Sequence, residues 1–297
     1  MTMIETRDGT KLRVKTLGEG RPVVLIHGWP LSADSWDPVM IALAEHGYRA
    51  IAYDRRGFGR SEQPPKGYNY ETFTDDLADV LEATGATDDV ALVGFSMGGG
   101  EVARYMSRHG GRGVSQAVLI SSVVPFMVQT DDNPKGVPET VFEEMTDGLR
   151  TDFRAFFTSF FKQFYGVGLL KHPVSGEELQ WAWNTAMQAG QYATLQAAAA
   201  FAYTDFRPDL PHFTVPTLVI HGTADATVPI EATGRVVAAQ VPSADLIEYE
   251  GEPHGLFATQ TQRLIDDLLS FLSGGKIEAR QGMIDALTAD TLAIGSL

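Results

Sequence analysis

Unbroken apolar runs recur along the first half of the chain, and a stretch with helical spacing follows most of them. Pro22-Val23-Val24-Leu25-Ile26, Val90-Ala91-Leu92-Val93 and Ala117-Val118-Leu119-Ile120 read as strands, as does Tyr48-Arg49-Ala50-Ile51-Ala52-Tyr53, which is apolar apart from Arg49. A run with no polar alternation suits a strand covered on both faces. Between these runs the spacing predicts helices from about Val39 to Glu45, from Thr72 to Thr84, and from Glu101 to about His109. In the second of these, Phe73, Leu77, Val80 and Leu81 share one face. Thr10 to Lys15 alternates weakly and adds a strand in front. Strands that alternate with helices, joined by crossovers of this length, imply a parallel sheet wound by helices.

The rhythm breaks at residue 126. From there to about 211 no buried-strand run occurs, while aromatic residues crowd in: Phe142, Phe153, Phe156, Phe157, Phe160, Phe161, Phe164, Tyr165, Trp181, Trp183, Tyr192, Phe201 and Tyr203. We read 126–211 as a helical cap laid over the carboxyl ends of the strands. Most of its aromatics are expected to be core between helices, and a minority to line a pocket. The run Ala197-Ala198-Ala199-Ala200 suits a close-packed helix. Strands resume at Thr217-Leu218-Val219-Ile220-His221 and at Ala244-Asp245-Leu246-Ile247-Glu248-Tyr249. An amphipathic helix with Leu264, Ile265, Leu268, Leu269 and Phe271 closes the pattern. The core is therefore 1–125 together with 212–273, and 274–297 is an extension or tag outside it.

Composition narrows the chemistry. The 297 residues include no cysteine, so disulfides, thiolate metal sites and a cysteine nucleophile are excluded. A net charge of −15 argues against nucleic acid, whose phosphates need a basic surface, and against an anionic membrane. No apolar run reaches the roughly 18 residues of a membrane span, and the N-terminus lacks the charged and apolar regions of a signal peptide. A cytoplasmic location is the expectation.

The chemistry gathers on Val93-Gly94-Phe95-Ser96-Met97-Gly98-Gly99-Gly100. Here a strand turns straight into a helix, and Gly94 and Gly98 flank Ser96 where a Cβ would clash. The turn presents the Ser96 hydroxyl at the end of the sheet. A serine hydroxyl needs a base within hydrogen-bond reach and an acid to fix the tautomer of that base. In this topology both should follow the serine, on loops after later strands. Asp225, just past the 217–221 strand, and His254, in Pro253-His254-Gly255, meet that requirement. His27 precedes the serine and is expected to hold its own loop. His221 reads as a satisfied structural histidine. Asp54 is on the wrong strand, and its neighbours Arg55 and Arg56 suggest a structural ion pair. An oxyanion would be met by the N–H of Met97 and by that of Trp29, since Pro30 has none.

With these residues placed, the chain resembles the α/β-hydrolase superfamily, and more narrowly bacterial aryl esterases and cofactor-free haloperoxidases (perhydrolases). The resemblance rests on His27-Gly28-Trp29-Pro30, on Tyr53-Asp54-Arg55-Arg56-Gly57-Phe58-Gly59-Arg60-Ser61, on the Ser96 turn, on Thr204-Asp205-Phe206-Arg207-Pro208-Asp209 and on Pro253-His254-Gly255. It extends from about residue 3 to 273. It implies an α/β-hydrolase fold, with a mostly parallel eight-stranded sheet flanked by helices and a helical cap. It also implies hydrolysis of carboxylic esters through an acyl-enzyme, with no cofactor and no metal. Hydrogen peroxide could replace water in the second step, and the resulting peracid would oxidise halide. Oligomers are common in this group. Pro30 restricts the residue before it to extended conformations, which directs the Trp29 carbonyl and makes Pro30 a candidate selector of the attacking nucleophile. γ-Lactam and lactone hydrolases and carbon–carbon bond hydrolases share the triad, as does a small-molecule receptor on this fold. Dehalogenases and epoxide hydrolases of this fold carry an aspartate where this chain has Ser96.

Overall fold

The computed structural model describes residues 2–274. The predicted 274–297 extension lies outside them except for Gly274. Eight strands form one sheet: β1 (Thr2–Glu5), β2 (Lys11–Leu17), β3 (Arg21–Ile26), β4 (Tyr48–Tyr53), β5 (Val90–Phe95), β6 (Val114–Ile120), β7 (Thr217–Gly222) and β8 (Ala244–Tyr249). Their order across the sheet is β1-β2-β4-β3-β5-β6-β7-β8. β2 pairs antiparallel with β1 and β4, and every pair from β4 to β8 is parallel. All six residues of β5 are buried, as the unbroken apolar run requires. The apolar pattern does not predict β1. It is mostly exposed and pairs only at the sheet edge, so no burial pattern marks it.

The helices are α1 (Asp37–Glu45), α2 (Tyr70–Ala83), α3 (Met97–Arg108), α4 (Glu139–Thr151), α5 (Phe153–Phe164), α6 (Gly176–Ala186), α7 (Gln191–Tyr203), α8 (Gly234–Gln240), α9 (Leu256–Thr259) and α10 (Thr261–Leu272). α2 starts two residues before the expected Thr72. The Asn69 side chain accepts the Thr72 N–H at 2.9 Å and opens the helix there. Phe73, Leu77, Val80 and Leu81 are all buried, which makes this the expected core face.

α4 to α7 stand between β6 and β7, in the segment read as helical. Phe157, Phe161, Phe164 and Tyr165 pack in the core. In the alanine run Ala197 and Ala198 are buried and Ala199 is exposed, so α7 packs by one face. Among the described residues no helix is long and apolar enough to cross a membrane.

Candidate active site

The ends of β3, β5, β7 and β8 meet at one place. Ser96 follows β5 with φ 53° and ψ −120°, a backbone region rare for a residue with a Cβ. The glycines around it permit the bend. A Cβ on Gly94 would stand 2.5 Å from the Gly98 carbonyl oxygen, and one on Gly98 would stand 2.4 Å from the Ile26 carbonyl oxygen. The first turn of α3 thus lies directly against the end of β3. Gly222, at the end of β7, plays the same part for the last loop. A Cβ there would meet the Glu252 carbonyl oxygen at 2.2 Å and keep His254 away.

His254 Nε2 lies 2.9 Å from Ser96 Oγ, and His254 Nδ1 lies 2.7 Å from Asp225 Oδ2. The other Asp225 oxygen accepts the N–H groups of Thr227 at 2.9 Å and Val228 at 2.8 Å. The sequence-predicted serine, histidine and aspartate are therefore in line, on the strand ends where they were expected. Burial acts most strongly on the Asp225 carboxyl and favours its neutral form. The neighbouring His254 and His221, with their hydrogen bonds, outweigh burial and hold it well below the usual carboxylate range.

Trp29 and Met97 flank the serine from two directions, from the loop after β3 and from the first residue of α3. Among the described residues neither backbone N–H has an acceptor, and no donor reaches the Trp29 carbonyl. The Trp29 indole donates to the Thr194 carbonyl at 3.0 Å and packs among Phe156, Phe157, Phe160 and Phe201. His27 holds its loop as expected. Its Nδ1 lies 2.8 Å from the Gly28 carbonyl, and its Nε2 accepts the Arg55 N–H at 3.0 Å. That pattern requires a neutral ring. Burial first, and Arg55 second, push the imidazole well below its ordinary pKa.

Two expectations need correction. Asp54 does not pair with Arg55 or Arg56. It binds Arg13 at 3.1 Å and also accepts the N–H groups of Ala33 and Arg60, each at 2.8 Å. Arg55 turns to Glu101 and Arg56 to Asp76, because successive residues at a strand end point in different directions. His221 is not a fully satisfied residue. Its Nε2 lies 2.9 Å from the Val228 carbonyl and 3.3 Å from Asp225 Oδ2, while its buried Nδ1 has no partner among the described residues. His221 is thus a second imidazole beside Asp225, which no apolar periodicity predicts.

Above Ser96 and His254 lies a cavity of about 590 Å³. Trp29, Phe142, Phe156, Phe160 and Phe201 wall it, together with Val123, Met145 and Val228. A minority of the aromatics of 126–211 face the cavity, as anticipated. Ser96 is 6 % exposed, so its reach to any substrate is through this space. Glu144, Asp152 and Gln163 add polar groups to its lining. The size and mostly apolar walls suit a small molecule with one reactive polar group. A carbonyl carbon near Ser96 Oγ would have a base beside the nucleophile and free N–H donors from the loop after β3 and from the start of α3.

The fold and this geometry are those of one class of protein. The alpha/beta hydrolase fold family matches residues 21–261, and the chain belongs to that family. Among its relatives is the non-heme chloroperoxidase CPO-A1 of Kitasatospora aureofaciens, 42% identical over 275 residues, which cover 92% of this chain and 100% of that protein. The bifunctional esterase/perhydrolase DCH of Acinetobacter calcoaceticus is 39% identical, over 92% of this chain and 99% of its own. The crystal structure of a bromoperoxidase from Bacillus anthracis superposes with a TM-score of 0.88 at 42% identity, covering 92% of this chain and 99% of that one.

Proposed function

We propose that the chain hydrolyses small carboxylic esters, aryl or short-chain, through an acyl-enzyme on Ser96, and that hydrogen peroxide can take the place of water in the second step. The observation that carries this reading is the chain of contacts Ser96 Oγ–His254 Nε2 at 2.9 Å and His254 Nδ1–Asp225 Oδ2 at 2.7 Å, opening into an apolar cavity. Ser96 Oγ attacks the ester carbonyl and its proton passes to His254 Nε2. The N–H groups of Trp29 and Met97 receive the oxyanion. The alkoxy group leaves with the proton from His254. Water, deprotonated by the same imidazole, then releases the acid. When peroxide attacks instead, the product is a peracid, which oxidises halide and returns to the acid. The enzyme needs no cofactor for this sequence. The acidic surface suits the cytoplasm, and a homo-oligomer is in keeping with this reading.

The test is a panel of aryl acetates, lactones and γ-lactams, run with and without peroxide. Aryl acetates should be cleaved at least about tenfold faster by kcat/KM than lactams of matched size, since an amide nitrogen leaves less readily. Faster lactam opening would move the assignment to a lactam hydrolase. In the same panel Pro30→Leu should lower the ratio of peracid to acid formed. The reason is that the Trp29 carbonyl, free of other donors, can accept a hydrogen bond from bound peroxide only while Pro30 holds its direction. An unchanged ratio would remove Pro30 from the mechanism.

A pH profile gives a separate check. The base must be neutral to take the proton. Asp225 stays a carboxylate through the acid range, because its own pKa is lowered. Activity should therefore fall on acidification as the base takes up a proton while Asp225 remains ionised, and a kcat/KM that stayed flat throughout the acid range would contradict base catalysis.

A further inference from the structure

The loop and the helix that carry the free N–H donors are tied together by a buried ionic network that the chemistry above does not use. Glu101 is on α3, one turn past Met97, and is fully buried. One of its carboxylate oxygens receives the Arg55 guanidinium and the other receives the Tyr53 hydroxyl. Arg55 is 1 % exposed, with its guanidinium against the Phe58 and Phe73 rings. From there its Nη2 donates to the His27 carbonyl at 2.7 Å and its backbone N–H donates to His27 Nε2 at 3.0 Å. His27 in turn reaches the Gly28 carbonyl at 2.8 Å, one residue before Trp29. A continuous path therefore runs from the helix that presents the Met97 N–H to the loop that presents the Trp29 N–H.

Burying a carboxylate and a guanidinium carries a desolvation penalty that their attraction must offset, and an apolar pair of the same size is often as stable. Stability alone is a weak reason for such a pair here. Its geometry supplies what packing does not, a directional clamp between two backbone segments. We propose that Glu101 and Arg55 are positioning residues, which hold the Trp29 and Met97 donors at the separation a tetrahedral oxyanion requires. The proposal rests on the ester-hydrolase reading. It assigns to a pair remote from substrate a share of transition-state binding rather than substrate binding.

The test uses Glu101→Gln and Arg55→Lys in the full chain. Glu101→Gln keeps the shape and removes the charge that orients the fork. Arg55→Lys keeps a cation facing Glu101 and removes the fork's bond to the His27 carbonyl. Active sites are counted with a fluorophosphonate, so that kcat refers to folded enzyme. Each variant should lose about tenfold to a hundredfold in kcat with KM changed less than about twofold, short of the 10²–10³ that losing a donor outright costs. The Ki of phenylboronic acid, whose tetrahedral adduct puts an oxygen between the two donors, should rise by the same factor. A purely structural pair would lower Tm and the active fraction but leave kcat per site and boronate affinity within about twofold of wild type, and that result overturns the proposal. A wild type with no boronate affinity and no labelling would instead overturn the ester-hydrolase reading on which it rests.

Discussion

Ser96→Ala is expected to lower kcat by about 10⁶, with the protein still folded. The magnitude is that of removing the nucleophile from a serine-histidine pair whose other parts remain. Some acceleration over water should survive, since the Trp29 and Met97 donors and the cavity are untouched. The substitution deletes one oxygen that is hydrogen-bonded to His254 at 2.9 Å. It leaves the Cβ in place at φ 53°, so it neither relieves nor adds backbone strain at the turn. The change in Tm should therefore be small. A fluorophosphonate should label the wild type at a single site and leave the alanine variant unlabelled. Unlabelled wild type, or a variant that keeps more than about a hundredth of the rate, would place the nucleophile elsewhere or make the chain a receptor rather than an enzyme.

Much of this site can be read from local sequence because its requirements are local. The strand run ending at Val93, the glycines at 94 and 98, and the helix after them fix the Ser96 turn within ten residues. Asp225 and His254 are recognisable because each follows a strand that its own apolar run announces. What escapes is pairing across the fold. Asp54 meets Arg13 rather than its arginine neighbours, at a separation of 41 residues. Glu101 meets Arg55 at a separation of 46. No periodicity carries such partners, since they depend on which way a side chain leaves the end of a strand. The same holds for His221. A histidine ending a buried strand looks like a core residue, and only the return of the 223–228 loop brings it to 3.3 Å from Asp225. The cavity is legible only as an excess of aromatics, because which of them turn inward is decided by how α4, α5 and α7 pack.

Asp225→Asn is expected to cost about 10⁴ in kcat, and the hydrogen bonds around the carboxylate say why a nearly isosteric change should cost so much. Oδ1 accepts the N–H groups of Thr227 and Val228. An asparagine must put its carbonyl oxygen there, because an NH₂ would face two donors. Its NH₂ then occupies the Oδ2 place, 2.7 Å from His254 Nδ1. A donor at that position requires Nδ1 to be the bare nitrogen, so the imidazole proton moves to Nε2 and points at Ser96 Oγ. The ring is held in place but can no longer accept the serine proton. The loss should fall on kcat with KM little changed, and fluorophosphonate labelling should slow by a similar factor. Nitrogen-15 spectra should show the His254 proton on Nδ1 in the wild type and on Nε2 in the variant. His221 offers no rescue, since its Nε2 lies 2.9 Å from the Val228 carbonyl and nothing connects it to Ser96. If Asp225→Asn kept kcat within about tenfold of the wild type, the aspartate would not be setting the tautomer of the base.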